Sequence, residues 1–352
     1  MPKVGIYALA KNEAKHAAAW AESCADADVR VVTDTGSTDG TQGILVQQGV
    51  TVCNGYVCPW RWDDAHNLSL NHLPPDVDIA IRLDLDERIL PGWREAVERA
   101  WTGEVNNLRY QYAWSLKPDG SPGLVFYCDR VHARHGFRWA QATHEGLMCW
   151  TGDKVQAIAE GLEVHHHREP GKVHKSDLTL LRVAVREAPG DARAQWYLAR
   201  EMSYAGLPEA AAEFLAYLKM PGGQATERAY ARRYLYLVTQ DERQLHKATE
   251  ECPGEPDAWE ALSLARYRQQ RWQECYEFAT RAIEAGDPGT HATDPDAKGR
   301  AYDLASVSAW ELGKRPEALT LARQAATMLP ADVRIRQNVA AMERHTDGFV
   351  SA

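Results

Sequence analysis

Ile79-Ala80-Ile81-Arg82-Leu83-Asp84-Leu85-Asp86-Glu87 is an alternating apolar run that ends in acid. In an extended chain successive side chains point to opposite faces, so Asp84 and Asp86 share one face while Leu83 and Leu85 share the other. Two carboxylates held that close repel each other unless a cation sits between them. A hard divalent ion such as Mg²⁺ or Mn²⁺, bound by one or two carboxylates and phosphate oxygens, resolves the repulsion. A solvated acidic turn after an edge strand is the alternative, because so short a motif discriminates weakly. The flanking sequence has to decide.

Upstream, Lys3 to Ala10 is a short apolar run that ends in Lys11-Asn12-Glu13, and Glu13 to Cys24 has helix-forming composition with Trp20 on one face. Val29 to Asp34 predicts a second strand, closed by Thr35-Gly36-Ser37-Thr38-Asp39-Gly40-Thr41 and a helix through Gln48. The two glycines free the turn, and Ser37, Thr38 or Asp39 can cap the helix. Strands alternating with helices predict a parallel sheet, whose ligand crevice lies beyond the carboxyl ends of its strands. Lys11-Asn12-Glu13 and Asp34 to Thr41 both fall at such ends.

With these pieces in place the first half of the chain resembles the inverting glycosyltransferases of family 2, which have the GT-A fold. The matching segments are Ala10-Lys11-Asn12-Glu13, Asp34 to Thr41, Trp62-Asp63-Asp64-Ala65-His66-Asn67, and Asp84-Leu85-Asp86-Glu87, in the family's order. The resemblance implies a nucleotide-sugar donor, with a UDP-sugar expected, and a Mn²⁺ or Mg²⁺ ion. It implies a donor pocket lined by Ala10, Asn12, Glu13, Asp34, Gly36, Ser37, Asp39, His66, Asn67, Asp84 and Leu85. Glu13 would accept from the ribose hydroxyls and Asp39 would read a uracil-type base edge. Asp86 would ligate the metal, with Asp84 near it. Plain turn and cap chemistry is the alternative for Asp34 and Asp39. Many relatives carry arginine where this chain has His66, so an imidazole replaces a fixed guanidinium and the phosphate contact there is in question.

Downstream, Pro91 to Ala100 predicts a helix with Pro91 at its start. Asn107 to Leu116 and Leu124 to His132 predict two strands joined by the turn Lys117-Pro118-Asp119-Gly120. Their aromatic residues Tyr110, Tyr112, Trp114 and Phe126 suit a wall of the acceptor cleft or an ordinary core. Next comes His144-Glu145. In relatives with a C-terminal repeat domain, such a pair lies where acceptor meets donor. An inverting transfer needs a general base, and Glu145 is the candidate, with His144 second and Glu87 as rival. Leu162 to His167 predicts a strand ending in three histidines, with His165 and His167 on one face and His166 on the other. His165 and His167 join Asp84 and Asp86 as candidate metal ligands, since imidazole suits Mn²⁺ tolerably.

Beyond Pro170-Gly171 the composition turns to Ala, Leu, Arg and Glu at helical spacing. Helix pairs are predicted over Asp191 to Leu215, Asp257 to Glu284 and Ala301 to Pro330, with a degenerate unit from Thr226 to Cys252 and an insertion from Gly286 to Pro295. The pattern resembles the tetratricopeptide repeat of about 34 residues. Stacked pairs bury a continuous core and present a concave surface that binds peptides or makes dimers, or that only buttresses a neighbouring domain. The expected architecture is an α/β GT-A domain over residues 1–170 and an all-α, tetratricopeptide-like domain over residues 171–352.

The chain has 352 residues, a net charge of -9, 45% hydrophobic residues and seven cysteines. That charge gives no support to a sequence-independent grip on nucleic acid or anionic membrane. No run of apolar residues reaches membrane-spanning length, and the first residues show no signal-peptide pattern, so a cytoplasmic location is expected. The cysteines form no CxxC pair and read as free thiols. The expected activity is metal-dependent hexosyl or pentosyl transfer to a peptide side chain, a glycan or a modified nucleobase. A homodimer or partner protein would be bound through the repeats. The alternative is a repeat adaptor carrying an inactive transferase domain. A nucleotidyltransferase is disfavoured because Leu9 to Glu13 contains no glycine.

Overall fold

Seven uncharged residues, Val4-Gly5-Ile6-Tyr7-Ala8-Leu9-Ala10, form β1 (Val4–Ala10), and all but Leu9 are buried. A strand apolar on both faces belongs at the centre of a parallel sheet covered by helices. Gly5 permits one of those contacts, because a Cβ there would lie 2.8 Å from Leu73 Cδ2. The structure, a computed structural model, describes residues 1–117, 119–167, 177–285 and 296–346. It divides into two units, Met1–Ala184 and Val185–Ala352. The boundary expected at Pro170-Gly171, Pro118 of the expected turn, and the expected insertion from Gly286 to Pro295 lie outside the described residues.

In the first unit β1 is followed by α1 (Ala14–Ser23), β2 (Val29–Asp34), α2 (Thr41–Gln47), β3 (Thr51–Asn54), α3 (Trp62–Asn71), β4 (Ile79–Arg82) and β5 (Glu87–Ile89). Then come α4 (Trp93–Ala100), β6 (Asn107–Ala113), β7 (Val125–Ala133), β8 (Phe137–Ala140), β9 (Gly146–Cys149) and β10 (Gln156–His166), followed by α5 (Leu178–Glu187), which contains the division between the units. Eight strands form one sheet in the order β3-β2-β1-β4-β7-β6-β10-β5, and β8 pairs with β9 separately. The first four are parallel. β7 runs antiparallel between β4 and β6, so the expected strand–turn–strand pair is built into the same sheet as the parallel strands and makes it mixed. A tight β6–β7 connection forces that reversal, since parallel neighbours need a long crossover.

Several boundaries differ from the sequence reading. β4 stops at Arg82, and Asp84 to Glu87 is a turn closed by Glu87 N–H to the Asp84 carbonyl at 2.9 Å, so Asp84 and Asp86 do not lie on one strand face. α4 begins at Trp93, after Gly92 in the left-handed region, rather than at Pro91. Trp20 on α1 is fully buried, and its indole N–H donates to the Leu83 carbonyl at 3.0 Å, pinning the chain just beyond β4.

The second unit is all-helical among its described residues: α6 (Ala192–Tyr204), α7 (Ala210–Lys219), α8 (Ala225–Thr239), α9 (Arg243–Glu251), α10 (Pro256–Arg268), α11 (Trp272–Glu284), α12 (Ala297–Glu311), α13 (Arg315–Met328) and α14 (Val333–Thr346). Within each of four successive pairs the first helix ends in a left-handed residue: Gly206, Gln240, Gln270 and Gly313. Three turns share one hydrogen-bond pattern, in which Leu207, Arg271 and Lys314 N–H reach back to the carbonyls of Met202, Arg266 and Ala309. This is the Schellman motif, and a left-handed residue is what lets the chain turn back on itself there. Fully buried alanines such as Ala279, Ala282, Ala301, Ala305 and Ala318 allow close helix approach in the core. Among the described residues no helix is long and apolar enough to cross a membrane.

Candidate functional site

The connection from β1 leads outward to β2 and β3, whereas β4 lies on the other side of β1. The carboxyl ends of β1 and β4 therefore flank the point where strand order reverses, the usual ligand crevice of such sheets. β6 and β10 run parallel to β4, so their carboxyl ends open on the same edge.

The loops after β1 and β2 are stitched together by the residues singled out in the sequence. Asn12 N–H donates to Ser37 Oγ at 2.8 Å, and Thr38 N–H donates to Asn12 Oδ1 at 2.7 Å. Asn12 adopts a left-handed φ of 59°, which asparagine tolerates. Asp39 caps two helices: its Oδ2 accepts from Ala14 N–H at 3.0 Å and its Oδ1 from Thr41 N–H at 3.1 Å. The Thr41 hydroxyl, also on Oδ1, helps hold the Asp39 carboxyl below its ordinary pKa. Glu13 N–H donates to Thr41 Oγ1 at 2.9 Å, and the Ala10 carbonyl accepts from Thr35 at 2.9 Å. Asp34 is buried; its Oδ1 accepts from Gly36 N–H, Ser37 N–H and Gln42 Nε2 within 2.9 Å. Its Oδ2 is buried with no hydrogen-bond partner among the described residues. Burial raises the Asp34 pKa, but those donors outweigh it and keep the group a carboxylate. A buried acceptor oxygen without a donor marks a place for a ligand N–H or O–H.

Around the β4–β5 turn two arginines hold three carboxylates. Arg82 Nε and Nη2 reach Asp84 Oδ1 and Oδ2 at 3.2 and 3.1 Å, and its Nη1 donates to Glu145 Oε1 at 2.8 Å. Arg130 Nη1 lies 3.3 Å from Asp84 Oδ2 and 2.7 Å from Glu87 Oε1. Burial would raise the Asp84 pKa, yet the two guanidinium charges bring it far below the ordinary range. Glu87 is 1% exposed and its carboxylate is engaged by Tyr112 O–H at 2.6 Å, Arg130 and Asp84 N–H at 2.9 Å. Burial raises its pKa, but a carboxylate so enclosed does not face an acceptor.

Glu145 sits in the β8–β9 loop, where Gln141 and His144 both have positive φ. Non-glycine residues rarely adopt that conformation, and such strain gathers at functional loops. His66 Nε2 lies 3.3 Å from Glu145 Oε1, the oxygen that also accepts from Arg82. Burial pushes the Glu145 pKa up, but contact with His66 and the charge of Arg82 bring it down to about 2. His66 is buried and stacks on Trp62 with ring centroids 6.1 Å apart, and burial keeps its ring neutral. Asn67 turns away from the crevice, because its side-chain amide clamps the Trp139 backbone with both of its atoms at 2.9 Å. Leu85 is buried.

The histidine that reaches Asp86 is His166, with Nε2 3.2 Å from Oδ2; it is neither His165 nor His167. His165 pairs with Glu163 at 2.7 Å, and His167 contributes its backbone N–H to the Asp86 carbonyl at 2.7 Å. Burial lowers the His166 pKa, but the Asp86 carboxylate outweighs it and raises it. Among the described residues no group of three or more His, Cys, Asp or Glu side chains could by itself hold a metal ion. Asp84, committed to two arginines, does not fit as a ligand. Asp86 and His166 do fit: their facing atoms are spaced like two adjacent ligands on an ion with bonds of about 2.1 Å. Such an ion takes its other ligands from substrate and water.

Arg82 and Arg130 were not picked out from the sequence, and His166 was noted there as one of three histidines but not preferred as a ligand. Arg82 and Arg130 do carry a signal there, since an arginine inside an apolar or aromatic strand pattern needs an acidic partner when buried.

No protein-family model matches the chain, and no curated protein matches it. Solved structures of similar shape include TTC0263, a thermophilic TPR protein of Thermus thermophilus, at 19% identity and a TM-score of 0.32, covering 47% of this chain and 88% of that one. YrrB, a TPR protein with an unusual peptide-binding site, is 16% identical with a TM-score of 0.34, over 47% of this chain and 81% of its own. MamA is 16% identical with a TM-score of 0.35, over 44% and 81%.

Proposed function

We propose that the helical unit is a tetratricopeptide-type domain that binds a protein or peptide, and that the sheet unit transfers a sugar from a nucleotide diphosphate, with inversion, to an acceptor. The helical assignment rests on four helix pairs whose left-handed turn residues, Gly206, Gln240, Gln270 and Gly313, lie 34, 30 and 43 positions apart; the first two spacings are near a repeat of about 34 residues, and the third contains the expected insertion. The transferase assignment rests on one observation. The loops carrying Glu13, Asp34 and Asp39 meet the turn carrying Asp84 and Asp86 at the strand-order reversal. Asp34 Oδ2, lacking a partner, would take a donor hydrogen from the nucleotide. Asp86 and His166 would hold a divalent ion, which when bound would neutralise the departing diphosphate. Glu145 is the candidate to accept the acceptor's proton.

The adaptor reading is favoured by a specific observation too. Asp84, Glu87 and Glu145 are already neutralised by arginine, as in a site that no longer turns over. Thermal shift and hydrolysis assays with UDP-, GDP- and ADP-sugars, with and without Mn²⁺, separate the two. A transferase is stabilised by its donor, in proportion to the logarithm of donor concentration over Kd, and hydrolyses it slowly. Asp86→Ala should abolish hydrolysis, and Glu145→Gln should lower turnover by roughly two to four orders of magnitude with donor affinity unchanged. No stabilisation and no hydrolysis with any nucleotide would leave the adaptor.

A further inference from the structure

We propose that Trp114 is the acceptor-binding platform of this site and that the acceptor is a glycan whose pyranose ring stacks on the indole. This rests on the transferase reading for the identity of the crevice. Trp114 directly follows β6, at the edge of the sheet where Asp86 and His166 lie. Its ring is backed by aromatic neighbours, with centroids 5.0 Å from His166, 6.4 Å from Phe126 and 6.4 Å from Tyr112, yet it remains 41% exposed. His166 fixes it to the acidic turn: Nδ1 lies 3.2 Å from the Trp114 carbonyl while Nε2 faces Asp86. Leu124, whose carbonyl accepts from Trp114 N–H at 2.8 Å, is also exposed and extends the apolar surface on the same face.

Distance assigns the platform to the acceptor. β6 is three strands from β1 and four from β2. At about 4.8 Å per strand those separations are about 14 and 19 Å, so a base held by the β1 and β2 loops cannot also cover Trp114. The asymmetry of the surroundings selects a sugar. A ligand lying on this indole has an apolar surface beneath it and a carboxylate–imidazole pair at its rim. A pyranose meets both, with C–H groups on the ring face and hydroxyls at the rim. An apolar side chain would leave the polar rim without partners.

The test is saturation-transfer NMR on the full chain with methyl glycosides of glucose, galactose, mannose and N-acetylglucosamine, and with a short tyrosine-containing peptide. The wild type should bind at least one glycoside through the C–H groups of one ring face. Trp114→Ala should weaken that binding at least tenfold and Trp114→Phe only severalfold, with UDP affinity unchanged in both. If Trp114→Ala fails to fold, the indole N–H resonance that Trp114→Phe removes must shift in the wild type on adding the glycoside. Glycoside binding unaffected by Trp114→Ala, binding of the peptide alone, no binding at all, or loss of UDP affinity in Trp114→Ala overturns the proposal. Glycoside binding at Trp114 in a protein that binds no nucleotide would keep the platform and sink the transferase reading.

Discussion

Arg82 neutralises two carboxylates from distant parts of the chain, Asp84 and Glu145, while its guanidinium lies 4.7 Å from the Trp139 ring. Removing one member of a buried ionic cluster leaves unpaired charge, so Arg82→Met should cost about 3 to 5 kcal/mol by urea denaturation. The pH dependence follows from the depressed Glu145 pKa. Its folded value of about 2 lies below its ordinary 4.5, so its contribution is complete above 4.5 and lost as pH falls toward 2. Wild-type stability should therefore drop across that window, and Glu145→Gln should drop less. Glu255 in the helical unit has the opposite sign. Burial and the charge of Asp257 raise its pKa from 4.5 to about 7, so the folded state binds a proton that the unfolded state has released. Stability should fall as pH rises from 4.5 to 7, and Glu255→Gln should flatten that part of a plot of Tm against pH. His66, Asp86 and Glu145 were legible as candidates from their motifs, whereas their counter-ions were not, because a charge's partner lies across the sheet rather than along the chain.

Elements were legible where one periodicity ran long enough. β2 spans the residues predicted, and the pairs α6–α7, α8–α9, α10–α11 and α12–α13 overlap the predicted segments, although α7 runs past Leu215 to Lys219 and α12 starts at Ala297, ahead of Ala301. The β8–β9 hairpin and three-residue β5 were not anticipated: β8 and β9 have four residues each, too few to carry a periodicity, and β5 pairs with β10, distant in sequence. The turns allow a stability test. Gln270 holds a left-handed φ of 56° at a position where glycine carries no Cβ penalty. Gln270→Gly should raise stability by about 1 kcal/mol in denaturant titration. Gln240→Gly should gain less, since the Gln240 side chain donates to the Leu237 carbonyl at 3.0 Å. Loss of stability in Gln270→Gly would show that the turn is set by something other than backbone strain.

At the scale of the molecule, each unit has its own buried core. Scanning calorimetry should resolve two transitions, and UDP with Mn²⁺ should raise only the one from the sheet unit. At a hundredfold excess over Kd the gain is about 2.7 kcal/mol. A single transition, shifted as a whole by UDP with Mn²⁺, would mean that the units unfold together. The sequence by itself determined the strands β1, β2, β4 and β6 to a residue or a few at their ends, the loops that carry Glu13, Asp34, Asp39 and Asp86, and the change to helix pairs, because each is written in periodicities and turn residues only a few positions long. Tertiary structure alone decided that Arg82 and Arg130 neutralise the acidic turn, that Glu87 is enclosed, that His166 faces Asp86, and that Asn67 clamps β8. Each of these depends on which strands lie side by side, and strand order is fixed by packing across the whole sheet rather than by neighbours in the chain.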